Sequence, residues 1–196
     1  DNTIKVWDTE SNKEIKTFIG HHSEVNSILF TPDDKYIISG GNDQTIKIWD
    51  FETGKIIRIL KGHSNSIYAL AFNDKNNYLA STGKDKFIKI WNIDSGMEIF
   101  TLKGHLKTIY AISFSADGNY LASGSKDKTV KIWDIQLGEE VKTIKVHDKA
   151  VLSIIFDSEN NNVISSTKDG TIRISKFQEE IPEEVYDDTL YIEEEE

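Results

Sequence analysis

Tryptophan occurs at Trp7, Trp49, Trp91 and Trp133 and nowhere else, so the four are spaced by 42 residues each time. The same step carries His21, His63, His105 and His147, and also Asp1, Asp43, Asp85, Asp127 and Asp169. Ser39, Ser81, Ser123 and Ser165 keep it, as do Phe30, Phe72, Phe114 and Phe156. Gly54, Gly96 and Gly138 follow the same register, with Asn12 at the equivalent place. Asn is the residue that best substitutes for Gly where φ is positive. So many series in phase, without an insertion or deletion, define an internal repeat.

Within one repeat the pattern is that of short strands. Ser66–Phe72, Tyr78–Thr82, Lys86–Trp91 and Met97–Leu102 are apolar or alternating runs separated by turn residues such as Asp94-Ser95-Gly96. Runs of this length, rich in β-branched and aromatic residues and bounded by Gly, Asn and Asp, read as strands. No segment of the body sustains a helical period. Of the two prolines, Pro32 falls in a turn, where its missing N–H costs nothing. A four-stranded sheet of 42 residues cannot bury both faces by itself, so the expected fold is all-β, with antiparallel blades stacked side by side as a propeller.

The motifs within each period resemble the WD-repeat β-propeller family. They are Gly20-His21, Ser39-Gly40-Gly41, Asp43 and Ile48-Trp49-Asp50; then Gly62-His63, Ser81-Thr82-Gly83, Asp85 and Ile90-Trp91-Asn92; then Gly104-His105, Ser123-Gly124-Ser125, Asp127 and Ile132-Trp133-Asp134. The last repeat departs, with Val146 before His147 and Ser175-Lys176 in place of Trp-Asp. The resemblance covers residues 1–177 and implies about 4.5 blades of four antiparallel strands: a half blade over 1–19, then blades near 21–61, 63–103, 105–145 and 147–177. It also implies a hydrogen-bonded tetrad in each blade: His21, Ser39, Asp43 and Trp49; His63, Ser81, Asp85 and Trp91; His105, Ser123, Asp127 and Trp133. His147, Ser165 and Asp169 form an incomplete fourth set, because Ser175 brings no indole, and that blade is expected to be looser. A buried indole N–H needs a partner, and a carboxylate that orients an imidazole toward a hydroxyl supplies one.

His, Ser and Asp within one unit could also suggest a hydrolase triad. Its recurrence in every blade argues for a structural network, since an active site needs no four copies, and no Gly-x-Ser-x-Gly elbow occurs. Histidines on separate blades make no metal set, and no Gly precedes Lys-Ser or Lys-Thr as a phosphate loop would require. No catalytic residue, metal or cofactor is therefore expected. Cysteine is absent, which removes disulfides and thiolate chemistry and suits a reducing, intracellular setting, cytoplasmic or nuclear. No apolar run reaches the roughly 20 residues that span a bilayer, so no membrane role is expected.

The net charge of −10 is uneven: ten of the 33 acidic residues lie in 178–196, which holds no Lys or Arg. The body therefore has 23 residues of each sign and no excess of positive charge for nucleic acid. The acidic tail reads as a solvated end, or as a docking motif because Tyr186, Leu190, Tyr191 and Ile192 are interleaved with the acids. Lys5, Lys47, Lys89, Lys131 and Arg173 recur on each third strand and read as edge charges that protect the sheet.

The resemblance places partner binding where the innermost strand begins and beside the tetrad Asp. Those positions are Glu24 and Asn26, Ser66 and Tyr68, Thr108 and Tyr110, Ala150 and Leu152, together with Asn42, Lys84, Lys126 and Lys168. Three lysines beside two tyrosines suit an acidic or phosphorylated peptide, or the chain's own tail. The expected function is a protein-interaction scaffold whose partners are other proteins or peptides. The alternative is the sensing or substrate-recognition region of a larger signalling enzyme or ubiquitin ligase subunit. Against one adaptor-linked ligase subclass, which often carries Arg two residues after Trp-Asp, the positions here hold Glu10, Glu52, Asp94 and Gln136. The chain begins at Asp1, and the family usually closes seven blades, so the remaining blades are expected in a longer chain. A small ring closed by Lys13–Ile19 on the last blade, or arcs joined from two chains, are the other ways to hide the open faces.

Overall fold

A computed structural model describes residues 1–145, 147–157, 159 and 162–177. The described residues form seventeen strands in five antiparallel sheets, and no helix. A two-stranded half blade comprises β1 (Thr3–Trp7) and β2 (Glu14–Ile19). The first full blade is β3 (Val25–Phe30), β4 (Tyr36–Gly41), β5 (Thr45–Asp50) and β6 (Ile56–Lys61). The second is β7 (Ile67–Asn73), β8 (Tyr78–Gly83), β9 (Ile88–Asn92) and β10 (Glu98–Leu102). The third is β11 (Ile109–Phe114), β12 (Tyr120–Ser125), β13 (Val130–Asp134) and β14 (Glu139–Ile144). The last sheet is β15 (Val151–Phe156), β16 (Asn162–Thr167) and β17 (Ile172–Lys176). Each sheet is an up-and-down meander in chain order, the form that connections of three to six residues permit. A fourth strand over 184–192 would lie outside the described residues.

The repeat explains the strand limits. The third strand of the second blade begins at Ile88, not at Lys86, because Lys86 sits in a left-handed turn at φ +72°. The second strand runs on through Gly83, which pairs with Ile67. A Cβ there would lie 1.9 Å from the Ser66 carbonyl oxygen, so this close approach needs glycine. Asn12 adopts φ +54°, in the same region as Gly54, Gly96 and Gly138 at +72°.

The apolar cores lie between sheets. Ile38, Ile46, Ile48 and Leu60 of the first full blade pack with Ile67, Leu79 and Trp91 of the second. Ile88, Ile90 and Leu102 meet Ile109, Leu121 and Trp133 in the same way, and Val130 and Ile132 meet Val151 and Ile154. Each blade thus has a leading face covered by its predecessor and a trailing face covered by its successor. Exposure along the repeat records this. Ile46 and Ile88 are fully buried, whereas the equivalent Ile172 is 68 % exposed. Conversely Ile28, on the first leading face, is 55 % exposed, and its equivalent Ile154 is 4 %. Among the described residues β2 pairs with β1 alone and β17 with β16 alone, so the strand Lys13–Ile19 does not close a ring.

One repeat position should therefore give two outcomes. Ile88→Ala is expected to cost about 2–5 kcal/mol, as core truncations do. Ile172→Ala should cost under about 0.5 kcal/mol, as an exposed change does. Urea denaturation of the two variants checks this; equal losses would show that the trailing face is covered in solution.

Candidate functional site

Three complete hydrogen-bond chains stand in the blades. Trp49 Nε1–H donates to Ser39 Oγ at 2.8 Å, Ser39 Oγ lies 2.7 Å from His21 Nε2, and His21 Nδ1 lies 2.8 Å from Asp43 Oδ2. Trp91, Ser81, His63 and Asp85 repeat it at 2.8, 2.8 and 2.6 Å. Trp133, Ser123, His105 and Asp127 do so at 2.8 Å throughout. With the carboxylate ionised, Nδ1 must donate to it. Nε2 then accepts from the serine hydroxyl, whose oxygen accepts from the indole. Ser39, Ser81 and Ser123 are fully buried, so the hydroxyl is both the hinge of the chain and inaccessible as a nucleophile.

The Asp uses both oxygens. Its Oδ2 also accepts the backbone N–H after the histidine, from His22, Ser64 or Leu106 at 2.9–3.2 Å. Its Oδ1 accepts from the backbone N–H two residues on, at Thr45, Phe87 or Thr129. The residue between is left-handed in every repeat: Asn2, Gln44, Lys86, Lys128 and Gly170 all have φ between +65° and +83°. For a side chain larger than Gly this costs about 1–2 kcal/mol, and the Asp holds it in place. The fourth set is partial. His147 Nε2 meets Ser165 Oγ at 2.7 Å, but Asp169 bonds Thr167 and Thr171 rather than the imidazole. Ser175 provides no indole.

Protonation follows the same geometry. Burial pushes the His21 and His147 imidazoles below their ordinary value, outweighing Asp43 for the first and Asp169 for the second. Burial alone would raise the Asp43 and Asp127 carboxyls. Bonds from the His22 N–H, Lys47 and Thr45 outweigh it for Asp43, and bonds from His105 and Thr129 for Asp127, so both lie well below the usual carboxylate range.

Lys47, Lys89 and Lys131 are not edge charges: each lies on the third of four strands, flanked on both sides, whereas Lys5 and Arg173 lie on strands paired on one side alone among the described residues. Lys89 Nζ bonds both oxygens of Glu98 at 2.8–2.9 Å and Thr101 Oγ1 at 2.8 Å. Lys131 does the same with Glu140 and Thr143, and Lys5 with Glu14. In the first full blade Ile56 and Ile59 replace that Glu and Thr, and Lys47 bonds Asp43 at 3.0 Å instead. Glu14, Glu98 and Glu140 obey the 42-residue step, so the period itself carried this signal.

The rim positions fall on a repeated irregularity. The first two strands of each sheet slip register between Val25 and Ser27, Ile67 and Ala69, Ile109 and Ala111, and Val151 and Ser153. The extra residue at each bulge is Asn26, Tyr68, Tyr110 or Leu152, and bulges re-aim such side chains. Tyr68 and Tyr110 come together with ring centroids 5.8 Å apart. The structure joins Ser66 to Lys84 and Thr108 to Lys126 by backbone bonds of 2.9 and 2.8 Å. Lys84, Lys126 and Lys168 are exposed and without an ion pair among the described residues. The first blade differs. Asn26 donates to Asn42 and to the Ile67 carbonyl, and Asn42 donates to Glu24, so those three are tied to one another. Ala150 is half-buried and shares no such bond with Lys168. Lys86 and Lys128, one step beyond each tetrad Asp, also stand exposed and were not singled out by the sequence. Among the described residues no three His, Asp or Glu side chains converge as metal ligands, and no helix is long and apolar enough to cross a membrane.

Blades of this construction, with an indole–hydroxyl–imidazole–carboxylate chain in each, define a β-propeller repeat protein. The WD domain, G-beta repeat family matches residues 12–50, 54–92, 96–134 and 138–174, and the chain belongs to that family. Repeats of this family generally mediate protein–protein interaction. The chain is similar to a Lissencephaly-1 homolog of Heterostelium pallidum, 46 % identical over 41 residues, which are 21 % of this chain and 10 % of that protein. It is similar to a CCR4-associated factor 4 homolog of Vanderwaltozyma polyspora, 49 % identical over 43 residues, 22 % of this chain and 6 % of that protein. It is similar also to nuclear distribution protein PAC1-1 of Uncinocarpus reesii, 43 % identical over 44 residues, 22 % of this chain and 10 % of that protein. The matched segments thus span a tenth or less of these relatives.

Ser81→Ala should cost about 2–4 kcal/mol, because it leaves the buried Trp91 N–H without an acceptor and His63 Nε2 without a donor. Ser165→Ala, with no indole to strand, should cost about half as much; urea midpoints of both variants decide it. The pH dependence has a definite sign. An unfolded imidazole titrates near 6.5. With the folded value lower, the unfolded chain takes up the proton first as pH falls. The contribution of His21 and His147 is intact above about 6.5 and lost below it, and the lowered carboxylates add a further loss below about 4. The urea midpoint should therefore be lower at pH 5 than at pH 7.5; a flat profile would show that His21 and His147 are not held neutral.

Proposed function

We propose that this chain is a scaffold whose rim captures an acidic or phosphorylated segment of a partner protein. The observation that carries the reading is the pairing of two bulge tyrosines, Tyr68 and Tyr110, beside lysines that no internal carboxylate neutralises. Contrast supports it. The lysines of the third strands are each consumed by a Glu or Asp of their own blade, whereas Lys84, Lys126 and Lys168 are not. An ammonium left in water keeps its full attraction for a phosphate or carboxylate, and half-buried aromatic rings give such a segment apolar area at little entropic cost. The complete tetrads fix the loops that present Lys84 and Lys126. Binding and positioning, rather than catalysis, is the activity we assign, in an intracellular compartment and with the remaining blades supplied by a longer chain. The evenly charged body speaks against nucleic acid as the ligand.

The test is fluorescence anisotropy with a labelled glutamate- and phosphoserine-containing peptide. Reversal of Lys84, Lys126 and Lys168 to Glu should weaken binding at least tenfold. Raising salt from about 50 to 200 mM should weaken the parent as well, since exposed pairs are screened. Unchanged binding by the triple variant would overturn the reading.

A further inference from the structure

One blade breaks the repeat at two adjoining positions. Glu14, Glu98 and Glu140 are answered by Ile56, and Thr17, Thr101 and Thr143 by Ile59. Ile56 occupies the place of the missing carboxylate. Its Cδ1 lies over Gly20 and the Trp49 ring, as the Glu98 and Glu140 carboxylates lie over Gly62 and Gly104. The result is a cleft of about 540 Å³ with Ile56 and Ile59 on one wall, Asp43, Thr45 and Lys47 in its lining, and His22 and Lys61 beside them. The matching groove of the third blade has nearly the same volume, about 550 Å³, and the equivalent lysine, Lys131, but Thr143 stands where Ile59 does. Ile56, Ile57 and Ile59 are 37, 51 and 45 % exposed, on an outer strand whose far edge is paired with nothing among the described residues. An open edge with apolar side chains is a template for another strand.

The chain itself holds a segment of matching chemistry. Leu190-Tyr191-Ile192 is the one run of three apolar or aromatic residues in 178–196, preceded by Asp187 and Asp188 and followed by Glu193 to Glu196. Leu190 and Ile192, two residues apart, share one face of an extended segment, and the flanking acids complement Lys61. The twelve residues between Phe177 and Leu190 can span up to about 40 Å. We propose that 189–193 docks on β6 of the same molecule as an added strand, with Leu190 and Ile192 on Ile56 and Ile59.

The absence of cysteine and the single position of Tyr191 make a direct test possible with the full chain. A photo-crosslinking phenylalanine analogue is placed at 191, and adducts are mapped by mass spectrometry. Adducts on 56–61 within one chain are expected; adducts only between two chains would put a second copy on the edge and overturn the proposal. Ile56→Glu with Ile59→Thr gives the first blade the residues its neighbours already carry; it should unfold at an unchanged urea midpoint and lose at least nine-tenths of the adduct. Leu190→Ser with Ile192→Ser, outside the blades, should lose as much. Adducts on the Lys84 or Lys126 loops would place the tail on the rim by charge alone and overturn the proposal. So would an adduct yield on 56–61 unaffected by either double variant, or no adduct at all.

Discussion

A sheet of this chain has an apolar face on each side and no layer of its own to cover either. The only cover available is the next sheet, so burial is reciprocal and directional along the sequence. Ile46, Ile88 and Val130 are sealed by the blade that follows, and Ile154 by the blade that precedes. Full burial of an isoleucine is worth about 2–3 kcal/mol; three interfaces gather seven to nine buried side chains each, and that of the half blade gathers four. No single blade could hold its shape without its neighbours, which is the energetics of a repeat protein. It also explains why the ends differ from the middle: Ile28 and Ile172 have the same chemistry as their buried equivalents and are left in water.

Stacking alone would leave polar groups stranded in those interfaces. The indoles of Trp49, Trp91 and Trp133 lie at the seams between blades, and each N–H is satisfied by the serine of its own blade. That hydroxyl is committed in turn to a histidine, and the histidine to an Asp that also clamps a left-handed residue. The network therefore links the packed seam to the surface turn. In a low-dielectric interior such a chain is rigid when complete and a liability when broken. The turns that present Lys84 and Lys126 are anchored through it, so the rigidity of the rim is inherited from the core.

Variation on this frame is where individuality enters. Three blades place a Glu and a Thr against the third-strand ammonium; one places two isoleucines there, and Lys47 turns to Asp43. At the bulge position, one blade spends Asn26 on an internal network, two offer tyrosines to each other, and one exposes Leu152. A frame that repeats so closely makes each departure informative, because folding does not require it. The half-buried tyrosines, the unpaired lysines and the apolar outer edge of β6 are such departures.

The repeat, the number and kind of strands, and the members of the three complete tetrads are legible along the chain, because a constant 42-residue step fixes which residues are equivalent and the chemistry of Trp, Ser, His and Asp fixes how they can bond. The sequence could not say which of two equivalent residues is buried: Ile88 and Ile172 read alike, and only the presence or absence of a following blade separates them. It misread Lys47, Lys89 and Lys131 as edge charges, since strand order within a sheet and the residue facing an ammonium are properties of register. The tyrosine pair and the tie between Asn26, Asn42 and Glu24 likewise needed the bulge, which displaces one residue from the alternation that a strand pattern assumes. Local chemistry and periodicity are written along the chain. Neighbourhood across blades is not, because it depends on contacts some 40 residues apart that exist only once the sheets have stacked.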